Sequence, residues 1–184
     1  MTATTTIRLR RLSPDDAKLF REVRLEGLAR DPDAFGSTFE SECTQPLAFF
    51  AERLERSVVF GAFRDSEVLG VAGFFVQQGP KHAHKGMLWG MYVRPAFRGA
   101  GIARRLVEAV IDHARRHVEL LQLAVISENL AARRLYASLG FAEYGLECRA
   151  AKFGGRYHDD VLMAKMLVLD SGPETAAEGG ETGR

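Results

Sequence analysis

The sequence predicts a single α/β domain whose mixed sheet is mostly antiparallel and carries about four flanking helices. Three observations lead there. Two apolar, β-branched and aromatic runs over 57–63 and 68–77 flank Arg64-Asp65-Ser66-Glu67, the pattern of an antiparallel hairpin. A strongly amphipathic stretch over 99–117 sits between strand-like runs at 87–93 and 120–126, a crossover that sets two parallel strands side by side. A second long hairpin is expected over 141–153 and 157–169, turning at Gly154-Gly155.

In chain order, 5–12 alternates Ile7 and Leu9 with Arg8 and Arg10, as a half-buried first strand does. Ser13-Pro14-Asp15-Asp16 then reads as an N-cap with proline at the first helical position and acids in the first turn, opening a helix to about Ala29. Asp31-Pro32-Asp33 stops it, 34–44 is expected to be irregular, and a second helix is expected over 46–56. In the crossover helix Ile102, Ala103, Leu106, Val107, Val110 and Ala114 form the apolar side, opposite Arg104, Arg105, Glu108, Asp112 and Arg115. A short helix over 128–139 ends at Gly140.

A chain of 184 residues fits one core. Its 25 Lys and Arg nearly cancel 24 Asp and Glu, so no global field favours nucleic acid or an anionic membrane as partner. The first residues lack the apolar stretch of a secretory signal, and the longest apolar run, over 120–126, is far shorter than a membrane span. Cys43 and Cys148 have neither disulfide-framework nor metal-ligand spacing, and a cytoplasmic location is expected. The pairs His113/His117 and His82/His84 lack the partners of a metal site, and no metal is expected. Residues 170–184, with no large apolar side chain beyond the expected domain at 1–169, are expected to be disordered.

The segment most suggestive of chemistry is Tyr92-Val-Arg-Pro-Ala-Phe-Arg98-Gly99-Ala100-Gly101-Ile102-Ala103. A strand ends, proline turns the chain, and two glycines open a long helix whose first N–H groups lack internal partners and sit at the positive end of its dipole. Such a turn accepts phosphate. It lacks the third glycine of a dinucleotide fingerprint and the Gly-Lys-Ser/Thr ending of a nucleotide P-loop.

Arg98-x-x-Gly101-x-Ala103, preceded by Tyr92-Val93-x-Pro95, resembles the acyl-CoA signature of the GCN5-related N-acetyltransferase (GNAT) superfamily. Asn129, Ala132, Leu135-Tyr136 and Gly140-Phe141 resemble that superfamily's next helix at its spacing, and the likeness runs over about 5–169. The resemblance implies the single-domain acyl-CoA N-acyltransferase fold, with the sheet split between its two parallel strands and the pantetheine arm of acetyl-CoA in the split. It implies that N–H groups of Arg98, Gly99, Ala100, Gly101, Ile102 and Ala103 hold the pyrophosphate. Backbone groups of Met91, Tyr92 and Val93 would pair with pantetheine, one of them polarising the thioester carbonyl. Asn129 would contact the cofactor while capping its helix, and Tyr136 would be the general acid to the departing thiolate.

Many relatives carry a glutamate on the strand before the phosphate loop; this chain has Leu88-Trp89-Gly90-Met91. The base must therefore come from elsewhere or be water, with Glu40, Glu42, His158, Asp159 and Asp160 as candidates. Phe35, Phe39 and Trp89 are candidates for an acceptor pocket or for the core. The function expected is acetyl transfer from acetyl-CoA to a primary amine of a small molecule, with a homodimer suggested by the resemblance. The alternatives are acetylation of protein N-termini or lysines, and a non-catalytic acyl-CoA-binding module.

Overall fold

A computed structural model describes residues 6–168; the expected disordered tail lies outside them. The described chain runs β1 (Arg8–Arg11), α1 (Ala17–Arg30), α2 (Phe39–Cys43), α3 (Leu47–Arg56), β2 (Val58–Arg64), β3 (Glu67–Val76) and β4 (Lys85–Val93). It continues through α4 (Ile102–Ala114), β5 (Leu120–Ile126), α5 (Leu130–Ser138), β6 (Ala142–Phe153) and β7 (Arg156–Met166). The seven strands form one sheet in the order β1-β2-β3-β4-β5-β7-β6. Only β4 and β5 are parallel among them, as the crossover through α4 requires.

Two short elements differ from the sequence expectation. Within 34–44, expected to be irregular, α2 forms because the Thr38 hydroxyl accepts the Ser41 N–H at 3.2 Å. The flanking helices are thus five rather than about four. The crossover helix begins at Ile102, not Gly99, because Gly101 at its N-cap takes a left-handed conformation with φ 76°. Residues 98–101 are therefore loop, which matters for the site below.

Side chains alternate across the sheet into two cores. On one face α4 buries Leu106, Val107 and Val110 completely against Ala72, Phe74, Leu88 and Leu121. Each such aliphatic side chain contributes about 1.5–3 kcal/mol. On the other face α1 and α3 pack Phe20, Val23, Phe50 and Leu54 onto Val59, Val71 and Tyr92.

The sheet opens at its parallel pair. β4 and β5 stay in register only from Lys85–Leu120 to Met87–Gln122. Further along, Gly73 opposes Trp89 and Val71 opposes Tyr92, so Gly90 and Met91 together face Ala72. This is a β-bulge, with Gly90 at φ 60°. The bend carries β4 away from β5 and leaves its edge from Leu88 to Val93 without a strand partner on that side.

A methyl group at position 90 would have room, its nearest neighbour being Arg24 Nη1 at 3.7 Å. The backbone angle is what demands glycine. Gly90→Ala should therefore lower stability by about 1–2 kcal/mol in urea denaturation, with β-sheet content retained. No loss would mean that the bulge tolerates a side chain.

Candidate active site

The phosphate loop has the features of an anion cradle. Among the described residues, the N–H groups of Gly99, Ala100, Gly101, Ile102, Ala103 and Arg104 donate to no main-chain or side-chain acceptor. Gly99 and Gly101 have positive φ and no atom within 4 Å of where a Cβ would stand, so a ligand can approach this backbone closely. Arg98 departs from the expected pattern. Its N–H bonds Pro95 O at 3.3 Å, closing a 3-10 turn, so the run of unpaired donors starts at Gly99. Its guanidinium donates to Val93 O at 2.9 Å and pairs with Asp31, tying the loop to the end of α1 instead of standing as a free charge at the rim.

The split between β4 and β5 is a cavity of about 390 Å³. Met91 lines one wall, and Asn129, Ala132 and Tyr136 of the α5 segment line the other. Asn129 Oδ1 accepts the Ala132 N–H at 3.1 Å, which caps α5. Arg133, on the same helical face by spacing, is instead drawn to Glu143 and Ser127 O. Tyr136 is only 6% exposed and its ring packs edge-on against Phe141. Its hydroxyl has no hydrogen-bond partner among the described residues. Burial pushes that phenol up to about 12. Tyr92 and Val93 are buried; the Tyr92 hydroxyl donates to Glu26 at 3.1 Å, while Val93 O is held by Arg98.

The candidate bases separate by surroundings. Glu42 is 2% exposed, and burial alone would raise its pKa. Hydrogen bonds and charge from Arg24, helped by Arg53, overcome this and hold it at about 2. It is an ion-pair partner, unsuited to taking a proton near neutral pH. Asp159 Oδ1 accepts the Arg149 N–H at 2.7 Å and so pins the irregular stretch of β6. Glu40 and His158 line a neighbouring cavity, away from Tyr136. Asp160 alone of the five lines the same cavity as Tyr136. Burial raises its pKa above the ordinary carboxylate value, as do Glu147, Asp159 and Glu128 nearby.

Phe35 and Trp89 prove to be both core and wall. Phe35 packs on Tyr92 and Trp89 on Phe20, and both line the cavity; Phe39 stays at the rim of the neighbouring one. Arg24, absent from the sequence-based candidates, also lines the cavity. An arginine inside an amphipathic helix carries no signal until its partner, 18 residues away, is known. His113 and His117 stack at 4.3 Å, and burial keeps His113 near 4. Among the described residues no group of three or more His, Cys, Asp or Glu could hold a metal ion, and no helix is long and apolar enough to cross a membrane.

A sheet split at its one parallel pair, a buried phenol lining the split and, past the end of β4, a run of N–H groups without acceptors among the described residues define the class of fold. The chain belongs to the acetyltransferase (GNAT) family, whose model matches residues 25–141. It is 35% identical over 85 residues to an L-methionine sulfoximine/L-methionine sulfone acetyltransferase of Salmonella typhimurium, covering 46% of this chain and 50% of that protein. It is 43% identical over 63 residues to the N-alpha-acetyltransferase RimI of Mycobacterium tuberculosis, covering 34% and 39% respectively. The matches thus span half or less of the length of these curated relatives. Among solved structures, a ribosomal-protein-alanine N-acetyltransferase of Brucella melitensis aligns with TM-score 0.77 at 25% identity, over 87% of this chain and 99% of its own. Salmonella typhimurium yncA, solved with its cofactor acetyl-CoA, aligns with TM-score 0.75 at 23% identity, over 92% and 99%, a likeness of fold.

The buried ion pair beside the cavity has a measurable signature. Glu42→Gln leaves Arg24 buried without a counter-charge and should cost about 3–5 kcal/mol in denaturant unfolding. Because the folded-state pKa of Glu42 lies below its ordinary 4.5, the unfolded chain takes up the proton first on acidification. The pair's stabilisation is therefore complete above about 4.5 and lost as pH falls toward 2. Unfolding free energies followed across that window should fall less steeply in the variant than in the parent.

Proposed function

We propose that this chain is an N-acetyltransferase that moves an acetyl group from acetyl-CoA to a primary amine of a small molecule. The observation that carries this is the Tyr136 hydroxyl, without a partner among the described residues, in a cleft whose far wall is the free edge of β4, the strand that leads into the N–H cradle. The residues fit the cofactor. N–H groups of Gly99, Ala100, Gly101, Ile102 and Ala103 would hold the pyrophosphate, with the Arg98 side chain fixing the loop's position. The β4 edge at Met91, Tyr92 and Val93 would run beside pantetheine, and the Asn129 side chain would face it from α5. Acetyl-CoA supplies an activated acyl carbon and a thiol leaving group.

In this reading Asp160 takes the proton released as the amine nitrogen bonds to the acyl carbon, directly or through one water. As the carbon–sulfur bond breaks, the Tyr136 hydroxyl donates to the sulfur. Complete transfer from a phenol near 12 to a thiolate whose acid lies near 8.5 is uphill by about 5 kcal/mol. Tyr136 therefore acts chiefly as a hydrogen-bond donor that stabilises the developing negative charge. Its raised pKa keeps it protonated throughout the neutral range.

Thiol release measured over an amine panel tests the assignment. Tyr136→Phe should lower kcat about 100-fold while leaving acetyl-CoA affinity intact; undiminished turnover would remove Tyr136 from the mechanism. Asp160→Asn should lower kcat/KM for the amine about 100-fold. In the parent, activity should fall on acidification through a pKa above the ordinary carboxylate value of about 3.9, and this limb should vanish in the variant. Transfer to peptides but to no free amine would favour a protein acetyltransferase, and acetyl-CoA binding without turnover a non-catalytic module.

A further inference from the structure

Arg24 is 7% exposed, yet its guanidinium is only partly satisfied. Nε donates to Glu42 Oε2 at 3.0 Å and Nη2 to Oε1 at 2.8 Å. Nη1, which carries two N–H groups, donates to nothing among the described residues. It lies beside the Gly90 bulge, 3.7 Å from where a Cβ of that residue would stand. The guanidinium carbon sits 4.9 Å from the Phe35 ring and 5.9 Å from that of Trp89, and Nη1 is not sealed off from the cavity. Arg24 also lines both the split and an adjoining cavity of about 440 Å³.

The ion pairing is also unbalanced. Glu42 serves Arg53 as well, at 3.1 Å, so one carboxylate answers two guanidiniums; among the described residues the other acids lining the split, Asp33 and Asp160, pair with neither. Arg53 in turn lies over Phe49 and Trp89. A buried cation with open donors calls for an anionic acceptor. Asp160, which lines the same cavity, supplies the opposite sign for an ammonium group.

We propose that the acceptor amine carries a carboxylate, bound by Nη1 of Arg24, so that the substrate class is a free amino acid or a close relative with both groups. This rests on the acetyl-transfer reading above. A peptide N-terminus has no carboxylate beside its amine and would leave Nη1 unfilled. The plane of the guanidinium, fixed by Glu42, sets the direction from which the carboxylate enters and so orients the amine toward the cleft.

The test uses one amino acid skeleton in three forms: free acid, carboxamide and decarboxylated amine. The acid should be preferred about 10- to 100-fold in kcat/KM, mostly through KM, as for one charge-assisted hydrogen bond. In Arg24→Lys the ratio of acid to decarboxylated amine should fall toward one, because an ammonium holding Glu42 cannot keep the fork that presents Nη1. The thermal midpoint and acetyl-CoA Kd of the same sample separate misfolding from lost recognition, and the parent's three-substrate comparison needs no variant. Trp89 is the one tryptophan and lies beside Arg24, so its fluorescence reports binding without turnover. If the acid perturbs Trp89 while no amine is acetylated, the carboxylate site stands and the transfer reading falls. Equal turnover of acid, amide and amine would overturn the carboxylate site and leave the transfer reading standing.

Discussion

Between Met87 and Val93 strand β4 leaves β5, and the rest of the site follows from where it does so. The parallel pair holds for three register positions, after which the Gly90 bulge turns β4 outward. The gap this opens exposes a strand edge whose main-chain groups have no strand partner and places α5, which follows β5, on the opposite wall. The same bend ends β4 where Pro95 and the two glycines of the loop begin. The strand edge and the phenol thus face each other across one cavity, and the N–H cradle follows directly on the end of β4.

Two electrostatic ties, one partly exposed at the loop and one buried, keep that groove in shape. Arg98 joins the loop to Asp31 and to Val93 O, so the cradle is anchored by the residue just before its first unpaired donor. Arg24 and Arg53 converge on Glu42, clamping α1, α2 and α3 together behind Trp89. Trp89 stands on the strand where many relatives carry an acid. Its indole lies flat on Gly73, whose Cβ would meet the ring at 2.5 Å, and its Nε1 is buried with no partner among the described residues. The position is occupied by packing, and the base proposed above lies across the cavity on β7.

The strand–loop–helix segment and the face of α5 were legible in the sequence because their determinants are local. Strand, proline, Arg98, Gly99 and Gly101 lie within a dozen residues, and Asn129 and Tyr136 share one helical turn pattern, so spacing alone conveys their geometry. Hairpins and the crossover were legible for the same reason. The acceptor half depends on contacts distant in sequence. Arg24 meets Glu42 across 18 residues, and Asp160 reaches the cavity only because β7 pairs with β5 at Ile126. Glu42 and Asp160 looked alike as solvent-facing acids in the sequence, yet their environments drive their pKa values in opposite directions. Likewise, the cradle was expected to include the Arg98 N–H, and the 3-10 turn at Pro95 moves its start by one residue.

That contrast between the two acids bears on how specificity and chemistry divide in this fold. Glu42 is held ionised so that it can aim two guanidiniums, and it has no proton to exchange at neutral pH. Asp160 forms no ion pair among the described residues, and burial and neighbouring carboxylates, against a smaller opposing effect of His158, leave it with a raised proton affinity. One cavity therefore holds a positive group whose direction is fixed and a negative group whose protonation can change. A substrate bearing a carboxylate and an amine meets both at once: the first interaction fixes orientation, and the second is realised only as the amine loses its proton. Binding energy from the carboxylate would then position the amine nitrogen against the acyl carbon. In the proposed mechanism Asp160 on β7 supplies the base that β4, with Trp89 packed at its bend, does not carry.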